Sequence, residues 1–155
     1  MSTTSTDDAD TARRLDWSDR DRIELAFPTD PALWSLARLT ASSIAARLDF
    51  DVEDVEDLRL AIDELCTACA AGAGPASRLR LCFETAGEAI RVECVVDQLV
   101  DAVWSGTGDD LPDGTGPNEL AEMILAELVD DHEIGSGASG SRRGYFEKRQ
   151  SAQTT

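Results

Sequence analysis

Apolar and polar residues alternate along five short stretches of the chain, the pattern typical of strands with one buried face. We expect the first of these to be an edge strand that Pro28 ends. Gly87 marks the turn of a hairpin between the second and the third. The last two stretches are shorter, and the turn-rich residues 135–140 join them. The predicted strands cover residues 22–27, 78–84, 90–96, 132–134 and 142–148.

Apolar residues recur at helical spacing in three further stretches. Asp30, which precedes a proline, is the start signal of a first helix that extends to about Leu48. Asp51 caps a second helix, which ends before Gly72. A third helix is predicted over residues 117–131. The predicted inward-facing residues are Leu33, Leu36, Ala37, Thr40, Ile44 and Leu48 in the first helix, Val55, Leu58, Ile62, Leu65 and Cys69 in the second, and Leu120, Ile124 and Leu128 in the third.

This order of elements is typical of an α+β two-layer sandwich, in which three helices cover one face of a mainly antiparallel sheet and the other face stays partly free. We expect a single domain over residues 21–149. Polar residues 1–20 and 150–155 are expected to be disordered tails. Residues 98–117 have four glycines and no hydrophobic period, which indicates a long loop that is either a functional lid or disordered.

The chain is strongly acidic, with 31 Asp and Glu residues against 14 Lys and Arg and a formal net charge of -17. Such a charge repels phosphate backbones and anionic membranes, so direct binding of nucleic acid or of a lipid surface is disfavoured. It favours a basic partner protein, although acidity that serves solubility alone explains the charge equally well. Because the sequence has neither a signal peptide nor an apolar run long enough to cross a bilayer, we expect a cytoplasmic protein.

Four cysteines are present: Cys66, Cys69, Cys82 and Cys94. In the cytoplasm they are expected to be reduced thiols that pack in the core. A zinc site is the alternative interpretation. The spacing disfavours it, because Cys82 and Cys94 lie on alternating strands and do not form a second tight pair.

Residues 23–69 carry the most specific signal in the chain. Phe27 and Pro28 at the end of the first strand, Arg38-Leu39-Thr40 in the first helix, Asp57-Leu58, Glu64 and Cys66-Thr67 in the second follow a family pattern in order and spacing. In this pattern the chain resembles the anti-sigma-factor serine kinases of the GHKL superfamily. The resemblance implies a Bergerat-type sandwich over about residues 22–148, with ATP and Mg²⁺ as the family's ligands.

The second helix of the resembled family carries a Glu-x-x-x-Asn motif. Its Glu acts as the base in phosphate transfer, and its Asn helps to hold Mg²⁺. Glu64 matches the base, but Ala68 stands at the Asn position. Alanine offers no oxygen to a hard cation, and Cys69 points in another direction and is a soft ligand. We therefore expect an incomplete magnesium site.

Two further family motifs are altered. In the Asp-x-Gly-x-Gly motif, whose Asp accepts a hydrogen bond from adenine, Asp97 is kept while Leu99 and Asp101 replace the glycines. A side chain at either position obstructs the close approach of backbone to nucleotide. The glycine-rich lid is reduced to Gly114 and Gly116 before residue 117, so the phosphate-binding helix start is altered too.

Together, the resemblance and the altered motifs predict a regulatory protein of a bacterial partner-switching pathway, with weak or lost ATP binding. By resemblance, its partner is a sigma factor or an anti-sigma antagonist, and two copies of the chain can form a homodimer. The alternative is an active ATP-dependent serine/threonine kinase that uses Glu64 and Asp97.

Overall fold

The computed structural model describes residues 22–97, 117–136 and 141–152. In these ranges the chain forms five strands and three α-helices, in the predicted order. The predicted tail 1–20 and most of the loop 98–117, with Gly114 and Gly116, lie outside them. The elements are β1 (Ile23–Pro28), α1 (Trp34–Arg47), α2 (Val52–Ala70), β2 (Arg78–Ala86), β3 (Ala89–Asp97), α3 (Pro117–Leu128), β4 (Asp131–Ser136) and β5 (Arg142–Arg149).

The strands form one antiparallel sheet in the order β1-β2-β3-β5-β4. β1 is an edge strand, as predicted. Alternate residues of the central strands are buried and form one hydrophobic core with the helices. The α+β two-layer fold class is therefore confirmed. The residues of the three central strands that belong to this core are Leu79, Leu81, Phe83, Ile90, Val92, Cys94, Val96 and Phe146.

α2 lies at the centre of the helical layer and packs directly on the sheet. Its predicted stripe is confirmed, since Leu58, Ile62, Leu65 and Cys69 are fully buried. The helix approaches β5 at Gly144, where an added Cβ would lie 2.8 Å from Leu65 Cδ1. Glycine is favoured here because a side chain would crowd Leu65 and the Glu133 carbonyl oxygen, so that Leu65 or α2 would have to move.

Both predicted caps are confirmed. Asp30 accepts a hydrogen bond from the Ala32 amide at 3.0 Å and begins a 3₁₀ turn (Pro31–Leu33) that leads into α1. Asp51 accepts one from the Asp54 amide at 2.7 Å and begins α2. These carboxylates satisfy amides that have no partner inside the helix. None of the described helices is long and apolar enough to span a bilayer.

The inward-facing residues of α1 and α3 were partly wrong. Leu36 is 49% exposed and Leu120 is 55% exposed, while Ala121 and Leu125 are buried instead. Both helices carry apolar residues on more than one face, so their periodicity did not decide which face packs. α3 also ends at Leu128, because Asp131 begins β4 and pairs with β5.

Residues after β5 are held against the domain. Gln150 donates from its backbone to Glu88 O at 2.9 Å and from its side chain to Asp49 O at 2.6 Å. Ser151 donates twice to Asp54, from its amide at 2.9 Å and from its hydroxyl at 2.5 Å. These bonds tie residues 150 and 151 to the turn between β2 and β3, to the residue Asp49 before α2 and to the first turn of α2.

Asp54 is itself only 2% exposed, and its charge faces Lys148, whose Nζ lies 3.5 Å from Asp54 Oδ1 and 3.4 Å from Asp57 Oδ2. Lys148 also donates to Leu128 O at 3.0 Å. Burial alone would raise the pKa of Asp54, but the hydrogen bonds from Ser151 and the charge of Lys148 outweigh it and lower the pKa. The cluster joins α2, α3, β5 and the following residues.

Candidate functional site

Glu64 and Ala68 lie one turn apart on α2, on the same flank of the helix. Glu64 is partly buried, whereas Ala68 is completely buried. Asp54, Ala61 and Ala68 lie along this flank, all buried. The helix therefore places the predicted base and the predicted metal position side by side, as the motif requires.

A residue that the sequence did not single out reaches position 68. Arg142 Nη1 donates a hydrogen bond to the Ala68 carbonyl oxygen at 2.8 Å. Arg142 shares a face of β5 with Gly144 and Phe146, which are buried against the helices, so it projects toward α2. The two residues are 74 positions apart in the sequence, and no local pattern could have predicted the contact.

The residues at this position do not fit a magnesium ion. Mg²⁺ binds oxygen ligands in a nearly octahedral geometry. Among the described residues of the predicted site, Glu64 offers one carboxylate and Ala68 offers only a carbonyl that already accepts from Arg142. In the part of the chain that the structure describes, no three His, Cys, Asp or Glu side chains are grouped so as to hold a metal.

Asp97 lies on the other side of the sheet. Val96 is buried against the helices, so the next residue along β3 projects from the open face. The Asp97 side chain is 48% exposed, and its Oδ2 lies 2.9 Å from Arg80 Nη2. The structure thus does not bring Asp97 together with Glu64, and an adenine contact by Asp97 would require the carboxylate to leave Arg80.

The open face of the sheet is lined by charged side chains that pair with one another. Arg91 lies 3.1 Å from Glu147 and stacks on Tyr145, 4.1 Å from the ring centroid. Burial and the neighbouring Asp131, to which the Tyr145 hydroxyl donates at 3.2 Å, raise the pKa of Tyr145. Positive and negative charges nearly balance on this face, unlike on the helical layer.

The four cysteines are free thiols, and they do not converge on one point. Cys66, Cys69 and Cys94 are completely buried between α2 and β3. Hydrogen bonds with Cys66 and Cys69, together with burial, raise the pKa of Cys94 well above its usual value. Cys82 is on the opposite face of the sheet, where burial raises its pKa to about 11. All four thiols act as packing groups.

The domain is thus an antiparallel five-stranded sheet under three helices, with Glu64 on the central helix. A family model described as "Histidine kinase-like ATPase domain" matches residues 27–142. The chain belongs to this family.

Individual relatives give a more specific likeness. The chain is 40% identical over 47 residues to the serine-protein kinase RsbW of Bacillus velezensis, which is 30% of this chain and 29% of that protein. Similar matches are found with RsbW of Bacillus subtilis (38% over 47 residues, 30% and 29%) and of Listeria monocytogenes (45% over 47 residues, 30% of each). The matches therefore span about three tenths of these relatives. They confirm the resemblance to the anti-sigma-factor serine kinases.

Proposed function

We propose that this chain is a cytoplasmic regulatory module that acts by binding a protein of a bacterial partner-switching pathway, and that its ATP binding is weak or lost. The partner is a sigma factor or an antagonist of an anti-sigma factor. The proposal rests on position 68, where alanine replaces the metal ligand of the resembled family and where Arg142 donates a hydrogen bond to the backbone carbonyl.

Phosphoryl transfer depends on this position because its catalysis is almost entirely positioning and electrostatic stabilisation of the phosphates by metal. Glu64 alone cannot supply either. Asp97, the acid at the predicted adenine position, forms an ion pair with Arg80 on the opposite face of the sheet. These two observations support binding rather than catalysis.

The outer surface of the helical layer supports a basic and partly apolar partner. α2 has one basic residue, Arg59, and α3 has none. Exposed apolar side chains accompany the acids, among them Leu60 and Met123. Acidic surfaces attract basic partners and speed their association, while the apolar side chains add contact area. The acids that reach solvent on the two helices are Glu53, Glu56, Asp57, Asp63, Glu64, Glu119, Glu122 and Glu127.

Affinity capture of the full chain, with cross-linking and mass spectrometry, tests the proposal. We expect a sigma factor or an antagonist-type protein to be recovered. Reversal of one charge on the helical layer, Glu122→Lys, should weaken the recovery. The matched control, Glu133→Lys on the open face of the sheet, should leave it unchanged. Recovery of neither class of protein contradicts the proposal.

An active kinase is the second candidate, favoured by the retained Glu64 and by the match to serine-protein kinases. The two functions differ in nucleotide affinity. A ligand at a hundred times its dissociation constant stabilises the folded state by about 2.7 kcal/mol. Under our proposal, a thermal-shift titration with Mg·ATP shows no change in melting temperature at millimolar nucleotide. A saturable shift would instead show that nucleotide binds, and transfer of phosphate to a protein substrate that Glu64→Ala abolishes would establish the kinase.

A further inference from the structure

We infer that Arg142 places a permanent positive charge at the position where the resembled family holds Mg²⁺, so that the site excludes a divalent cation even when an oxygen ligand is restored at position 68. The inference rests on the proposed function, in which this site no longer serves metal-dependent chemistry. The charge of Arg142 is a second cause of metal exclusion, in addition to the missing oxygen ligand at Ala68.

Position 68 and the guanidinium are close in space. Nη1 lies 2.8 Å from the Ala68 carbonyl oxygen, and the oxygen and Cβ of one residue are about 3 Å apart by covalent geometry. The charged group therefore lies within about 6 Å of Ala68 Cβ. A metal ion held by an asparagine side chain at this position would lie within about 5 Å of Cβ, and therefore within about 11 Å of the guanidinium nitrogen.

The arginine is held there by two features of the fold. The alternation of β5 directs Arg142 to the helical side, together with Gly144 and Phe146. Its acceptor, the Ala68 carbonyl, belongs to the last turn of α2, where carbonyls lack helical partners and the helix dipole is negative. A cation at a helix C-terminus is favourable, so the fold stabilises Arg142 in this place.

The guanidinium of arginine is a permanent cation in proteins. A divalent ion at this position would have to overcome repulsion from the guanidinium in a partly buried setting, where charges are weakly screened. An asparagine at position 68 supplies one oxygen ligand but leaves the repulsion in place. The exchange of Ala68 alone is therefore not expected to restore the metal site.

The experiment uses Mn²⁺ as the probe and its paramagnetic broadening of backbone amide signals as the readout, because this locates even weak binding on the full chain. The variants are Ala68→Asn, Arg142→Thr and their combination. Ala68→Asn with Arg143→Thr is the matched control, since Arg143 is the adjacent residue on the open face and pairs with Glu93 at 2.6 Å.

We expect amides of residues 64–70 to broaden in the Ala68→Asn/Arg142→Thr variant at a Mn²⁺ concentration about tenfold below that needed for Ala68→Asn alone, because a nearby unit charge changes affinity on that order. The control should behave like Ala68→Asn alone. Equal broadening in Ala68→Asn and the double variant, or none in either, overturns the inference.

Ala68 is completely buried, and asparagine there can prevent folding. Arg142→Thr alone avoids this difficulty. It removes the positive charge beside residue 68 and should broaden residues 64–70 more than the unaltered chain does; no difference between the two overturns the inference. These results are independent of partner capture, so failure of the metal test and failure of the proposed function are distinguishable.

Discussion

Replacing Gly144 with alanine adds one methyl group where α2 meets the sheet. The new Cβ would lie 2.8 Å from Leu65 Cδ1, 3.1 Å from the Glu133 carbonyl oxygen and 3.3 Å from Cys69 Sγ. Carbon atoms in contact are ordinarily about 3.5–4.0 Å apart. α2 must therefore shift, or Leu65 must leave its preferred rotamer.

The cost is expected at the upper end of the range for overpacked cores, about 3 kcal/mol of unfolding free energy. Leu65 is completely buried and cannot turn toward solvent, and the Glu133 oxygen belongs to the paired backbone of β4. Truncation of the leucine, Leu65→Ala, should itself cost about 2–5 kcal/mol. It also removes the shortest of the three contacts.

A double-mutant cycle measured by urea unfolding separates these effects. The variant Gly144→Ala/Leu65→Ala should be more stable, by about 1–2 kcal/mol, than the sum of the single changes predicts. Gly135→Ala is the control, since an added Cβ at Gly135 on β4 meets no atom within 4 Å. Additive losses, or a Gly144→Ala variant as stable as this control, would refute the assigned packing.

Three further predictions concern other groups. Asp54→Asn should lower the unfolding free energy at neutral pH by about 3 kcal/mol, because the neutral amide no longer balances the positive charge of the buried Lys148. The pKa of Asp54 in the folded protein lies below its ordinary value of 3.8. The ionised carboxylate therefore stabilises the folded state above pH 3.8, and this stabilisation is lost as the pH falls through the folded pKa. Chemical denaturation at pH 7 and pH 3 should show the difference between variant and wild type shrinking, and a constant difference argues against the ion pair. Asp30→Ala should cost about 1 kcal/mol by calorimetry, and Asp30→Asn much less, because only the first removes the cap. With a pKa of about 11, Cys82 should react slowly with a thiol reagent at pH 8 in the folded protein, whereas all four cysteines react in urea; rapid folded-state labelling would show that the thiol is not shielded.

The order of the elements and the core of the sheet could be predicted, because the alternation in the strands and the apolar stripe of α2 are each compatible with a single buried face. The buried face of α3 could not be predicted in this way. Leu120, Ile124, Leu125 and Leu128 cover more than one face of the helix, and contacts with α2 and β4 decide that Leu125 enters the core. Such contacts are tertiary, and the periodicity of apolar residues within one helix does not predict them.

The candidate site shows the same division. The spacing of Glu64 and Ala68 within one helix was sufficient to place them side by side. The alternation in β3 was also sufficient to predict which face of the sheet Asp97 projects from, because its neighbour Val96 was expected to be buried on the other face. The hydrogen bond from Arg142 to Ala68 could not be predicted, because it depends on the register of β5 beneath α2.

The bonds between Ser151 and Asp54 join residues 97 positions apart. During synthesis, α2 emerges long before the donors that allow Asp54 to be buried. A nascent chain that ends before residue 151 would keep this carboxylate hydrated, and the first turn of α2 with it. Long-range contacts of this kind slow folding, so the packing around Asp54 is expected to form only after residue 151 has reached the helix.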